Sequence, residues 1–159
     1  MKVECQTGEV MEIDGPSFAG ANLDGLSLHR ALLEAQSMQA ASFIAADLRG
    51  ALMCKSDLSD ANFERASLIT AFLMGATMKR ANLRRCQAIG CQFDEADLTG
   101  ANLEGADVAN ASFNGARLEG AKLLCHRIES ASFTGAYFDN KTVWPANFDP
   151  IAFGARLRP

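Results

Sequence analysis

Ala96-Asp97-Leu98-Thr99-Gly100-Ala101-Asn102-Leu103-Glu104-Gly105 decides the fold. Each half is a small residue, an outward-type polar residue, a large apolar residue and a two-residue corner. Working outward in steps of five, Leu98 and Leu103 belong to one column that runs from Phe18 to Phe153. It has 28 members, and only Ala88 is small. A second column lies two residues earlier and is mostly alanine, as at Ala61, Ala66, Ala71, Ala76 and Ala81. A period of five fits neither an amphipathic helix nor a long strand. It fits a strand that alternates for three residues and then turns. Alternation points the alanine and the large residue inward and the residue between them outward. The corner then falls two residues after the large one. Glycine occupies that place at Gly25, Gly50, Gly75 and Gly100, among others, while Gly8 and Gly154 lie off the register.

Like residues recur at intervals of 20, as in Phe93, Phe113, Phe133 and Phe153 and in Asn62, Asn82 and Asn102. Residues that stack on successive coils show such a spacing, so the expected coil has 20 residues and four sides. The expected architecture is therefore an all-β solenoid, a quadrilateral β-helix of about seven coils, with coils roughly 4.8 Å apart and a rod about 34 Å long. Its narrow interior is filled by alanine and large apolar side chains, which leaves no room for a substrate.

The repeat A-[DN]-L-x-x resembles the pentapeptide-repeat family. Examples are Ala21-Asn22-Leu23-Asp24-Gly25, Ala61-Asn62-Phe63-Glu64-Arg65 and Ala96-Asp97-Leu98-Thr99-Gly100. The resemblance covers roughly residues 16–155 and implies a right-handed quadrilateral β-helix. Thr142-Val143-Trp144-Pro145-Ala146-Asn147-Phe148-Asp149-Pro150 is similar to the closing segment of cyanobacterial members. The expected organisation is an N-terminal cap or hairpin over 1–15, the β-helix over 16–155 and a C-terminal tail over 156–159. Trp144, Phe148 and Phe153 offer bulk to close the core, and Pro145 and Pro150 stop further strand pairing.

The chain has 159 residues, a formal net charge of −4 and a pI near 5.1. That balance disfavours non-specific binding to nucleic acid or to an anionic membrane. No apolar run spans a bilayer, and the polar N-terminus lacks a signal-peptide core, so a cytoplasmic location is expected. Five cysteines with no C-x-x-C pair signal neither disulfides nor zinc. His29 and His126 lie coils apart, and no nucleophile–base pair or phosphate loop is present. The chain is expected not to be an enzyme, with no catalytic residues, cofactor or metal.

Residues that break the pattern are the candidate sites. One outward column reads Leu32, Leu52, Phe72, Gln92, Ser112, Ser132. With Cys54, Ile69, Met74 and Ile89 beside it, its first half forms a candidate interaction patch large enough to indicate a partner. Arg65, Lys79, Arg80, Arg84 and Arg85 form a candidate basic corner near mid-rod. In the core, Cys86, Ala88 and Cys91 replace Ala, Leu and Ala. Gln36, Ser56, His126 and Lys141 take nominally inward positions, where hydrogen bonding to backbone or an outward swing is expected.

The reading that follows is a protein-interaction or scaffold rod. Its partner is another protein or a second copy bound through the patch, with neither nucleic acid nor membrane involved. The alternative comes from the resemblance: some family members mimic a DNA duplex, bind DNA gyrase and protect it from quinolones. That role needs unbroken columns of negative charge, whereas here one column reads Asp24, Ile44, Glu64, Arg84, Glu104.

Overall fold

The computed structural model describes residues 1–158. Strands β1 (Lys2–Glu4) and β2 (Val10–Glu12) form an antiparallel hairpin. Near the other end, β3 (Tyr137–Phe138) and β4 (Arg156–Leu157) pair in parallel. Between them the chain winds as a parallel β-helix whose rungs are too short to count as full strands. Four ladders of parallel bridges run along it in twenty-residue steps: Asn22↔Ser42↔Asn62↔Asn82↔Asn102, Ser27↔Asp47↔Ser67↔Gln87↔Asp107, Leu32↔Leu52↔Phe72↔Gln92↔Ser112↔Ser132 and Ser37↔Asp57↔Thr77↔Asp97↔Arg117↔Tyr137. They are named below for Asn62, Asp47, Leu52 and Asp97.

The repeat satisfies its own backbone. Asn62 N–H donates to the Ala41 carbonyl in the preceding coil, and Phe63 N–H donates to the Asn82 carbonyl in the following one, at 2.9 and 2.7 Å. The corner closes with Ala66 N–H on the Phe63 carbonyl at 3.0 Å. The polar residue before the large one has a task beyond facing water. Asn62, Asn82 and Asn102 each accept, through Oδ1, the backbone N–H two residues on, at 3.0–3.2 Å. Asp47, Asp57, Asp97 and Asp107 do the same. Short Asx side chains are suited to this because they reach their own turn, which explains why Asn and Asp recur in that column.

Both inward columns are buried. Leu23 through Leu123, including Ala88, have essentially no exposure, and the alanine column is equally closed from Ala41 to Ala121. Phe43 stacks on Phe63 at 4.8 Å, and Phe93, Phe113 and Phe133 stack at 4.9 and 5.0 Å. Trp144 and Phe148 meet the ring of Phe133 edge-on, and Phe153 packs on Phe148.

Corner residues adopt the left-handed region. Gly25, Gly50 and Gly100 do so with φ of 65°, 63° and 68°, but so do Arg30, Lys55, Thr70, Glu95 and others, with φ of 52–59°. A β-branched residue is least suited to that conformation. Thr70→Gly is expected to raise stability by about 0.5–1 kcal/mol, the strain relieved less the backbone entropy of glycine. Thermal denaturation checks this, and a lower midpoint would contradict it. Off the register, Gly154 has φ of 88°, and a Cβ there would lie 3.2 Å from Thr134 Cα.

The structure departs from the even period in three places. Asp107 pairs with His126 rather than with Arg127. Cys125 moves from the expected corner to pack against the core, and His126 faces solvent. A 3-10 turn (Ile128–Ser130), entered by Arg127 in the left-handed region, restores the register by Ser132. Val143, expected inside, pairs with Lys122 and is 41% exposed, because the chain gains one residue before Trp144 fills the core position. In the segment expected as a tail, Arg156 and Leu157 instead extend the Asp97 ladder as β4, while Pro159 lies outside the described residues.

Ser56 and Gln36 share one corner. Ser56 Oγ donates to the Leu33 carbonyl at 2.6 Å and accepts Gln36 N–H at 3.2 Å, standing where other corners close directly. Gln36 and Lys141 point outward.

Candidate functional site

The outward positions of one ladder carry Leu32, Leu52 and Phe72 on consecutive coils. Leu32 is 40% exposed, and Leu52 and Phe72 are half-buried. Ile69 and Ile89 stack on the corner entering this side, where Gly50 N–H donates to the Ile69 carbonyl and Thr70 N–H to the Ile89 carbonyl. Cys54 and Met74 stack on the corner leaving it, and Met74 is 38% exposed. The structure thus brings all seven candidate patch residues to one side of the rod. Beyond Phe72 the same ladder turns polar, with Asp94 accepting the Ser112 hydroxyl at 2.6 Å.

Sequence reading missed a groove beside this patch. It has a volume of about 530 Å³ and is lined by Gln6, His29, Arg30, Gly50, Leu52, Thr70 and Phe72. The hairpin builds one wall. Gln6 N–H donates to the Arg30 carbonyl, Leu32 N–H donates to the Glu4 carbonyl, and Arg30 Nε donates to Gln6 Oε1 at 3.2 Å. No sequence signal places Gln6 against Arg30, because the hairpin lies outside the repeat.

The five basic residues do not form one corner. Lys79 and Arg80 lie on the corner before the Asn62 ladder, whereas Arg65, Arg84 and Arg85 lie on the corner after it. A five-residue step moves the chain to the next corner, so nearness in sequence separates them. Three are also ion-paired: Arg80 with Asp60 through two bonds of 2.7 and 2.6 Å, Lys79 with Asp97 at 3.4 Å, and Arg84 with Glu104 at 3.7 Å. Arg65 and Arg85 have no ion pair among the described residues.

The charges instead tie coils together. Lys79, Asp97, Arg117, Glu119 and Arg158 form a chain of ion pairs, and the Arg158 guanidinium lies 3.7 Å over the Tyr137 ring. Burial alone would raise the Asp97 carboxyl, but hydrogen bonds from Thr99 and the charges of Arg117 and Lys79 hold it below the usual range. Arg127 clamps Asp107 by donating from Nε and Nη2 to its two carboxylate oxygens, and these bonds lower its carboxyl. Among the described residues no group of three His, Cys, Asp or Glu side chains is placed to hold a metal ion, and no helix is long and apolar enough to cross a membrane.

Comparison with known proteins places this geometry. A family model described as pentapeptide repeats matches in eight copies, over residues 17–53, 56–93 and 91–123. No curated protein is detectably similar in sequence. Among solved structures, the pentapeptide-repeat protein Rfr23 from the cyanobacterium Cyanothece matches with a TM-score of 0.63 and 22% identity, covering 80% of this chain and 90% of that one. HetL of the cyanobacterium Nostoc, involved in regulating heterocyst differentiation, matches with a TM-score of 0.47 and 23% identity, covering 76% of this chain and 68% of that one. QnrB1, a plasmid-mediated fluoroquinolone resistance protein, matches with a TM-score of 0.47 and 17% identity over 89% of this chain and 86% of that one. The repeat, the ladders and the family match agree: the chain belongs to the pentapeptide-repeat family, and its fold is a right-handed β-helix.

Proposed function

We propose that the chain is a non-enzymatic protein-interaction or scaffold module, a rigid rod whose Leu52 side docks another protein or a second copy. The β-helix is read as four-sided, with about seven coils of 20 residues over 16–155 and a cap over 1–15. Support for the twenty-residue coil comes from the spacing of the four ladders.

One observation carries the functional reading. Leu32, Leu52 and Phe72 occupy consecutive outward positions that the other ladders fill mostly with polar residues such as Asn, Asp, Ser and Thr. Such positions gain nothing for the core, and a contiguous apolar surface rimmed by polar residues is what an interface needs. The duplex-mimicking alternative has less support. Its acidic columns are interrupted, and Arg84 within one of them pairs with Glu104.

A Leu52→Arg/Phe72→Glu double variant is expected to stay folded, since both side chains are half-buried at outward ladder positions and lie outside the core. On immobilised protein it is expected to lose a partner that the natural chain retains from a lysate. Identical captures by the two proteins would overturn the reading. Protection of gyrase supercoiling against a quinolone would favour the alternative.

A further inference from the structure

Two strand edges, one at each end of the rod, are built to meet each other. In the hairpin, bonds from Cys5 N–H to Glu9 and from Ile13 N–H to Met1 bracket Val3↔Met11 as the bonded pair. By alternation, Glu4 points away from β2, and its carbonyl accepts Leu32 N–H from the first coil. By the same alternation, Val10 and Glu12 turn their N–H and C=O away from β1, where no backbone partner meets them among the described residues. The far end mirrors this. Arg156 and Arg158 donate back to Ala136 and Phe138, so the N–H and C=O of Leu157 face away from the rod.

These edges are apolar and oppositely charged. Ile151, Val10 and Leu157 are the three most exposed large apolar residues, at 61%, 56% and 48%. The hairpin end carries Glu4, Glu9, Glu12 and Asp14, of which only Glu12 has an ion pair among the described residues, with Lys2. At the opposite end Arg156 and Arg158 flank Leu157, and Lys141 adds a third base; Asp139 and Asp149 lie in the same terminal segment, and Arg158 is paired with Glu119, so the basic character is that of the β4 strand itself. Acids flanking β2 oppose its pairing with a second β2, which would set like charges together. A basic strand suits that edge, and the chain carries one in β4.

We propose that a second copy of this chain docks head to tail, the β2 edge of one molecule pairing with the β4 edge of the next. The contact is heterologous, so it leaves a free end at each side and extends into a linear series. The end of a narrow rod is small against the roughly 1,600 Å² of a standard interface, so assembly depends on concentration. This surface is separate from the Leu52 side and does not rest on it.

The test is sedimentation across a concentration series, with Val10→Arg blocking one end and Leu157→Glu blocking the other. Both sites are exposed, and unchanged thermal midpoints verify the fold. Ile151→Glu serves as a second block at the β4 end. The natural chain is expected to rise in mass past the dimer, and each variant alone is expected to stay at 17.0 kDa. An equimolar mixture of the Val10 and Leu157 variants is expected to give a dimer and nothing larger, because only one complementary pair of ends remains. A natural chain that stays monomeric would overturn the proposal. So would a dimer that survives either variant alone, or association that only Phe72→Glu removes.

Discussion

Truncating Phe113 to alanine is expected to destabilise the protein by about 3–5 kcal/mol, the range for emptying a buried aromatic site. Phe113 has no exposure and lies between Phe93 and Phe133, with ring centroids at 4.9 and 5.0 Å and interplanar angles of 9° and 2°. Its removal deprives both neighbours of a stacking face. Collapse to refill the space is limited, because the ladder bonds of Phe113 N–H to Ser132 and Ser112 N–H to Cys91 fix the coil spacing. Each coil contacts only its neighbours, so a weakened layer also divides the rod. Urea denaturation of the variant is expected to lose its single transition or to show a smaller slope, with the C-terminal coils opening first. Phe113→Leu is the control. Leu73 fills the same column two coils earlier, so leucine fits the site, and a loss of about 1–2 kcal/mol is expected. A loss under 1 kcal/mol for the alanine variant would show that the stack contributes little to stability.

The same local geometry explains what the sequence disclosed. Each side of the rod buries one small and one large residue before turning, so a five-residue period has few structural readings. Stacking of identical residues at intervals of 20 also placed Leu32, Leu52 and Phe72 on one side. Other features left no such trace. An Asn that caps a corner and an Asn that only faces water have the same composition, so Asn62 and Asn82 gave no sign of their bonds to Glu64 and Arg84. The slip at Cys125 and His126 was hidden because one missing residue and one compensating residue fall within a single side. The period therefore resumes at Ile128 as if nothing had happened. Val143 misled for the related reason that a valine suits either face of a strand. Arg80 and Arg85 are close in sequence, yet a step of five residues carries the chain around the Asn62 side. The groove at Arg30 depends on the hairpin, whose docking onto Leu32 follows from tertiary contacts rather than from the repeat.

Alkaline pH is expected to remove stability steeply, and three thiols packed in or against the β-helix core are the main cause, with Cys5 of the hairpin raised by burial as well. Cys86 and Cys91 are buried in the alanine column, and Cys125 joins the core at the register slip, its Sγ 3.4 Å from the Leu103 carbonyl. Burial pushes the Cys125 thiol up to about 12. It raises the Cys86 and Cys91 thiols as well, each with a lesser contribution from the neighbouring cysteine. In the unfolded chain each thiol ionises near 8.5. Below that pH both states hold the proton, and the packing of the neutral thiols contributes in full. Above it the unfolded chain releases protons that the folded chain keeps, so stability falls until the folded thiols ionise in turn. The window therefore runs from about pH 9 to 12 for Cys125. Linkage gives about 1.4 kcal/mol per pH unit for each thiol, or roughly 4 kcal/mol per unit for the three together. A Cys86→Ala/Cys91→Ala/Cys125→Ala variant isolates the effect of these three from that of Cys5, which it retains. Ala66 and Ala106 occupy the positions beside Cys86 in the same column, so alanine fits the site. Unfolding free energies measured from pH 7.5 to 10.5 should decline steeply for the natural chain and much less for the variant. Parallel declines would refute the assignment and would mean that the thiols ionise in the folded rod as they do in the open chain.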